Sequence, residues 1–126
     1  MSENQISYKI RGCIFSVYNE LGPGLLESVY HAALKYELKK AGLNFKSEES
    51  IPIYYDGIKL ENVSLRLDLL VENKVIIELK SVEELKAVHH KQALTYLKIT
   101  KLKLAILVNF NTDDITKGIF RKVNGL

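Results

Sequence analysis

The sequence predicts an α/β fold, a mixed sheet sandwiched between helices, and three observations carry that expectation. Residues 65–81 alternate between apolar and polar side chains about one short turn, as paired strands do. Three other stretches repeat apolar residues at intervals of three and four, as amphipathic helices do. The run Leu104-Ala105-Ile106-Leu107-Val108 is almost unbroken, which suits a strand covered on both faces.

Taken in order, the first helix is expected from Ile6 to Leu21. It rests on Ile10, Cys13, Ile14, Val17 and Tyr18, and Gly22-Pro23-Gly24 stops it. A second helix covers Leu26 to Ala41 and closes at Gly42. Glu27, Tyr30, His31 and Leu34 stack along one side of it. Phe45–Tyr55 contains a strand interrupted by Pro52, which suggests an edge position or a strand end, and Asp56-Gly57 is a hairpin turn. A short strand at Ile58–Leu60 leads through Glu61-Asn62 to the central hairpin. A third helix is expected over Glu83–Ile99, then a strand over Leu102–Phe110 and a last short strand at Ile119–Val123.

The central hairpin fixes its own register. Leu65, Leu67, Leu69 and Val71 share one face of the first strand, and Val75, Ile77 and Leu79 one face of the second. These faces coincide only if Val71 lies opposite Val75, Leu69 opposite Ile77 and Leu67 opposite Leu79. Glu72-Asn73-Lys74 is then the loop, with Asn73 available for a left-handed position. The same register sets Asp68 opposite Glu78 and Arg66 opposite Lys80. Paired carboxylates repel unless a cation lies between them, and Mg²⁺ takes oxygen ligands of this kind. A cross-strand ion-pair cluster would use the same residues for structure alone. Glu27 has a plain reading as a first-turn acid on its helix dipole, His31 as a structural histidine, and Gln92 with Tyr96 as a hydrogen-bonded pair one turn apart.

Composition bounds the rest. The 126 residues are expected to form one domain, 1–126, with 47% hydrophobic and 26% charged residues, as in folded soluble proteins. A net charge of +3 permits a nucleic-acid partner without demanding one. The single cysteine, Cys13, excludes an internal disulfide and a cysteine-rich zinc site. With no signal-peptide pattern and no bilayer-length apolar run, no membrane partner and a cytoplasmic location are expected.

The order helix, three strands, helix, strand, with Asp68 followed by Glu78-Leu79-Lys80, resembles the PD-(D/E)xK nuclease superfamily. Gly24-Leu25-Leu26-Glu27-Ser28-Val29-Tyr30 further resembles the pattern of its GxxExxY branch. The resemblance implies a restriction-endonuclease-like α/β sandwich, an αβββαβ core plus an N-terminal helix. It implies Asp68, Glu78, the Leu79 backbone carbonyl and Glu27 as ligands of Mg²⁺ or Mn²⁺. Glu27, Asp68, Glu78 and Lys80 are the implied catalytic set, Lys80 orienting water or offsetting phosphate charge. Gln92 and Tyr96 match the superfamily's Q-x-x-x-Y signature and, with Tyr30 and Arg66, are expected to meet substrate. Asp68 is preceded by Leu67 where the superfamily's name has proline. The implied activity is metal-dependent cleavage of DNA, ahead of RNA, with a homodimer as one way to widen the footprint. The alternative is a catalytically silent nucleic-acid- or protein-binding module that keeps the fold.

Overall fold

The computed structural model describes residues 1–126. Helices α1 (Glu3–Leu21) and α2 (Glu27–Lys40) come first, followed by strands β1 (Phe45–Tyr55), β2 (Ile58–Val71) and β3 (Val75–Lys80). Helix α3 (Ala87–Thr100) crosses to β4 (Leu104–Asn109), and a 3-10 turn at Ile115–Lys117 precedes β5 (Ile119–Val123). The five strands lie in the order β1-β2-β3-β4-β5. Only β3 and β4 run parallel, which is why a helix must connect them. This is the restriction-endonuclease-like α/β fold.

Each face of the sheet has its own core. Ile6, Ile10, Ile14 and Val17 of α1 and Leu34 and Leu38 of α2 pack on Leu69, Ile77, Leu79, Ile106 and Val108. Cys13 belongs to this larger cluster. Ala93 and Leu97 of α3 pack on Leu67, Leu70, Ile76 and Ala105. β4 therefore contributes to both cores, which accounts for its unbroken apolar run.

Several element ends differ from expectation for local reasons. α1 starts at Glu3, ahead of Ile6, because Ser2 Oγ accepts from the Gln5 N–H while Gln5 Oε1 accepts from the Ser2 N–H. β2 is one unbroken strand; Asn62 absorbs an irregularity at φ 60°, and the β1–β2 register shifts between Pro52 and Tyr54. α3 begins at Ala87 and not at Glu83. The Asn109 amide bonds both the N–H and the carbonyl of Val82, at 3.1 and 2.9 Å, and pins the preceding segment to the end of β4.

The largest correction concerns the faces of β2. Leu69 and Val71 lie in the α1/α2 core as expected, but Leu65 and Leu67 lie with Leu70 in the α3 core. The alternation breaks at Asp68. β1 breaks in step: Phe45 packs with the larger cluster, Ile51 and Ile53 with the smaller. Between them is Glu48, at φ 54°, in the register position opposite Asp68. A left-handed residue there turns the strand over and exchanges its faces.

The turn before β5 is closely packed. A Cβ at Gly118 would lie 2.6 Å from the Asn109 carbonyl oxygen and 3.1 Å from Thr112 Cγ2. Gly118→Ala is expected to cost about 1–3 kcal/mol, as overpacking against backbone does, read as a lower midpoint in urea unfolding with unchanged slope.

Candidate active site

The site forms where β2 and β3 part. Their ladder holds the pairs Val71–Val75, Leu70–Ile76 and Leu69–Ile77, in the expected register, and then stops. Glu72 and Asn73 turn the hairpin at φ 53° and 55°. The backbone pairs expected next, Leu67 with Leu79 and Arg66 with Lys80, are absent from the ladder. Side chains take their place: Glu78 Oε1 accepts from the Asp68 N–H at 3.3 Å, and Asp68 Oδ2 accepts from the Leu79 N–H at 2.8 Å. Each carboxylate thus captures the backbone of the other's strand. Asp68 and Glu78 come together, as the sequence led us to expect, but through these reciprocal bonds.

α2 supports Asp68 from the other side. His31 Nε2 lies 3.3 Å from the Asp68 carbonyl oxygen and 3.2 Å from Ser47 Oγ. A carbonyl can only accept, so Nε2 carries the proton and donates. His31 therefore holds the strand at the site, in keeping with its plain reading as a structural histidine. Its only sequence signal is its place one turn after Glu27 on the same helix flank.

Electrostatics ties the remaining candidates to this pair. Glu78 is 5% exposed. Burial, and then the charge of Asp68, push the Glu78 carboxyl up to about 9, against weaker pulls from the Asp68 N–H and from Lys80. The Glu78 carboxyl therefore keeps its proton at neutral pH. The Glu27 carboxyl is also raised, by burial and by Asp68, while Lys80 and His31 draw it down. The Tyr96 phenol is raised by burial and by Glu78 and Asp68. Asp68 thus links Glu27, Glu78 and Tyr96, with Lys80 acting on both glutamates, although these residues come from four elements. Gln92 is half-buried one turn before Tyr96 on α3. Arg66 is exposed and pairs with Ser50 of β1; the β2–β3 ladder ends before it and does not bring it opposite Lys80.

Tyr30, expected to meet substrate, is fully buried. Its ring stacks on Phe110 at 4.5 Å between centroids. Its hydroxyl donates to the Gly22 carbonyl at 2.6 Å and accepts from the Leu25 N–H at 3.1 Å. Ser81, next to Lys80, donates to the Leu25 carbonyl at 2.6 Å. Tyr30 and Ser81 together tie down the loop from which Glu27 enters α2. Tyrosine is required at that position for the loop it holds, and helical spacing alone cannot distinguish that duty from contact with a ligand.

No three His, Cys, Asp or Glu side chains form a ready cage for a metal. Asp68 and Glu78, with the Leu79 carbonyl between Glu78 and Lys80 in sequence, offer the smaller oxygen set that suits a cation retaining waters. Nor is the site a closed pocket. A polar cleft of about 610 Å³ nearby is lined by Glu83, Glu84, Asp113 and Lys117 among others, and by none of the candidates above.

Two consequences follow from the geometry. Glu78 binds a proton in the folded protein that the unfolded chain releases near 4.5, so metal-free stability should fall as pH rises from there through about 9. Melting temperatures in EDTA should show this decline, and Glu78→Gln, which cannot ionise, should flatten it; equal slopes for both proteins would contradict the raised Glu78 carboxyl. Tyr30→Phe keeps the ring stack but removes two hydrogen bonds. It should lower stability by about 1–2 kcal/mol and speed hydrogen exchange at the Leu25 amide.

The comparisons with known proteins agree with this architecture. The chain matches the family model of the PD-(D/E)XK nuclease superfamily over residues 4–122. No curated protein matches it. A solved chain, described as the crystal structure of SSO0001, is similar at 28% identity and a TM-score of 0.56. The match covers 79% of this chain and 51% of that one, so this chain spans about half the length of its solved relative. The extent of the family match, taken with the fold, shows that the chain belongs to the PD-(D/E)XK nuclease superfamily.

Proposed function

We propose that this protein is a divalent-metal-dependent phosphodiesterase acting on DNA, of the GxxExxY branch by its Gly24, Glu27 and Tyr30. The observation that carries the reading is the Asp68–Glu78 pair, held together by reciprocal backbone bonds, with burial and Asp68 raising the Glu78 carboxyl. Two acids so placed are stabilised by a positive centre, and a divalent cation can replace the proton.

The donor set fits Mg²⁺ or Mn²⁺: Asp68, Glu78 and the Leu79 carbonyl would hold it, with Glu27 reaching the shell directly or through water. When bound, the ion supplies Lewis acidity at the phosphate and lowers the pKa of water. The protein's own groups do the rest. Lys80 ends β3 beside the acids and offsets the negative charge that develops on the scissile phosphate. Glu27, with its raised affinity for protons, is placed to accept one from an attacking water. Tyr96 and Gln92 present a phenol and an amide from α3 to the substrate backbone. In this reading Tyr30 acts only through the loop that places Glu27.

The test is cleavage of supercoiled plasmid, linear duplex, single-stranded DNA, a branched junction and RNA, each with Mg²⁺, Mn²⁺ or EDTA. Cutting should require the metal, and Lys80→Ala should lower the rate by about 10²–10³-fold, as loss of one charge-stabilising donor does. If folded wild-type protein cuts none of these, the chemistry is absent and the fold serves as a binding module.

A further inference from the structure

Charge is unevenly distributed along this chain. Residues 85–112 contain five lysines, Lys86, Lys91, Lys98, Lys101 and Lys103, and none of the chain's 15 acidic residues. The remaining residues hold 13 of the 18 basic side chains against all 15 acids, so the whole excess of positive charge belongs to this segment. β4 within it is buried, so the charge is displayed by α3 and its ends, where all five lysines are exposed.

The helix has two functional flanks beside its buried stripe of Ala93 and Leu97. Gln92 and Tyr96 occupy the flank toward the catalytic acids, whose charges the Tyr96 phenol senses. Lys91 and Lys98 are seven residues apart and so share a stripe on the other flank, about 10 Å apart along the axis. β5 adds to that flank. His90 meets Phe120 edge-on at 4.8 Å, and Lys122 Nζ lies 5.7 Å from the centre of the same ring. The neighbouring polar cleft carries Glu83, Glu84 and Asp113, which set an acidic border to the patch.

We propose that the exposed lysine flank of α3, with Lys122 of β5, docks the phosphate backbone of duplex DNA beyond the scissile phosphate. The proposal deepens the nuclease reading and takes its substrate class from it. Charge complementarity selects the occupant: a duplex presents one negative charge per about 1.7 Å of its axis. The large apolar residues exposed on α3 are Val88, Leu94 and Ile99, all aliphatic, and the helix offers no fully exposed aromatic platform of the kind that single-strand binders use for stacking. A rigid helix and strand displaying lysines suit a duplex backbone read without regard to sequence.

The experiment measures binding, not cleavage. Fluorescence anisotropy with labelled duplex DNA in EDTA would be followed across a salt series for the wild type. The same series would be run for the triple variant Lys91→Ala/Lys98→Ala/Lys122→Ala and for a charge-matched control, Lys35→Ala/Lys39→Ala/Lys40→Ala on α2. The slope of log K against log salt should fall by about one per lysine, about three in all, for the first triple variant and stay unchanged for the control. Equal losses in both variants would show a net-charge effect and overturn the proposal, as would an unchanged slope in the first. Anionic vesicles binding as tightly as DNA, through the same lysines, would assign the face to a membrane surface instead. Because no metal is present, failure to cleave leaves this result standing. Conversely, metal-dependent cleavage that survives an unchanged binding slope would refute the docking face and spare the nuclease.

Discussion

The candidate site depends on the parting of β2 from β3 after three ladder pairs. An antiparallel pair that continued would satisfy its backbone groups with one another and leave Asp68 and Glu78 as an ordinary cross-strand couple. Here the two carboxylates bond the backbone of the opposite strand, so the acids are drawn together by the groups that the ladder leaves free. The same place is where β1 and β2 exchange faces, with Glu48 in a left-handed conformation opposite Asp68. The catalytic candidates therefore stand at the line along which the sheet changes sides.

A distortion of that kind must be held by its surroundings. α2 does most of the holding. His31 bonds the Asp68 carbonyl, Tyr30 bonds both ends of the loop before Glu27, and Ser81 bonds that loop from the end of β3. The buried stack of Tyr30 on Phe110 then fixes α2 to the chain just beyond β4. Packing of one helix thereby sets the positions of Asp68, Glu27 and Lys80 together. The motif Gly24-x-x-Glu27-x-x-Tyr30 gains a physical meaning: one residue faces the site and another, one helical turn later, anchors the loop that delivers it.

Much of this was legible in the sequence, and what was not has identifiable causes. Alternation and turn chemistry gave the hairpin register through Leu69–Ile77 and the Asp56-Gly57 turn, because each is a local effect of side-chain period or backbone freedom. The exchange of faces at Asp68 was illegible because it rests on a glutamate adopting positive φ, which no residue preference announces. The late start of α3 was hidden for another reason: Val82 is held by Asn109, 27 positions away. Asp68, Glu78, Lys80, Glu27 and Tyr96 could be gathered from motif order. The burial of Tyr30 could not, since a tyrosine at helical spacing satisfies core and site patterns equally.

The proton on Glu78 ties the stability of the fold to pH. A carboxyl that is 5% exposed beside another acid raises the free energy of the folded state when both are ionised, and the proton held there offsets that cost. A divalent cation would offset it more fully, but only by displacing the proton. Rising pH therefore weakens the metal-free fold. Lys80 alone does not resolve the conflict, because its pull on Glu78 is smaller than the push from burial and Asp68. An ion-pair cluster kept for stability would have the lysine in control of the acids. In this site burial and Asp68 outweigh the lysine, so Lys80 alone does not keep Glu78 ionised at neutral pH.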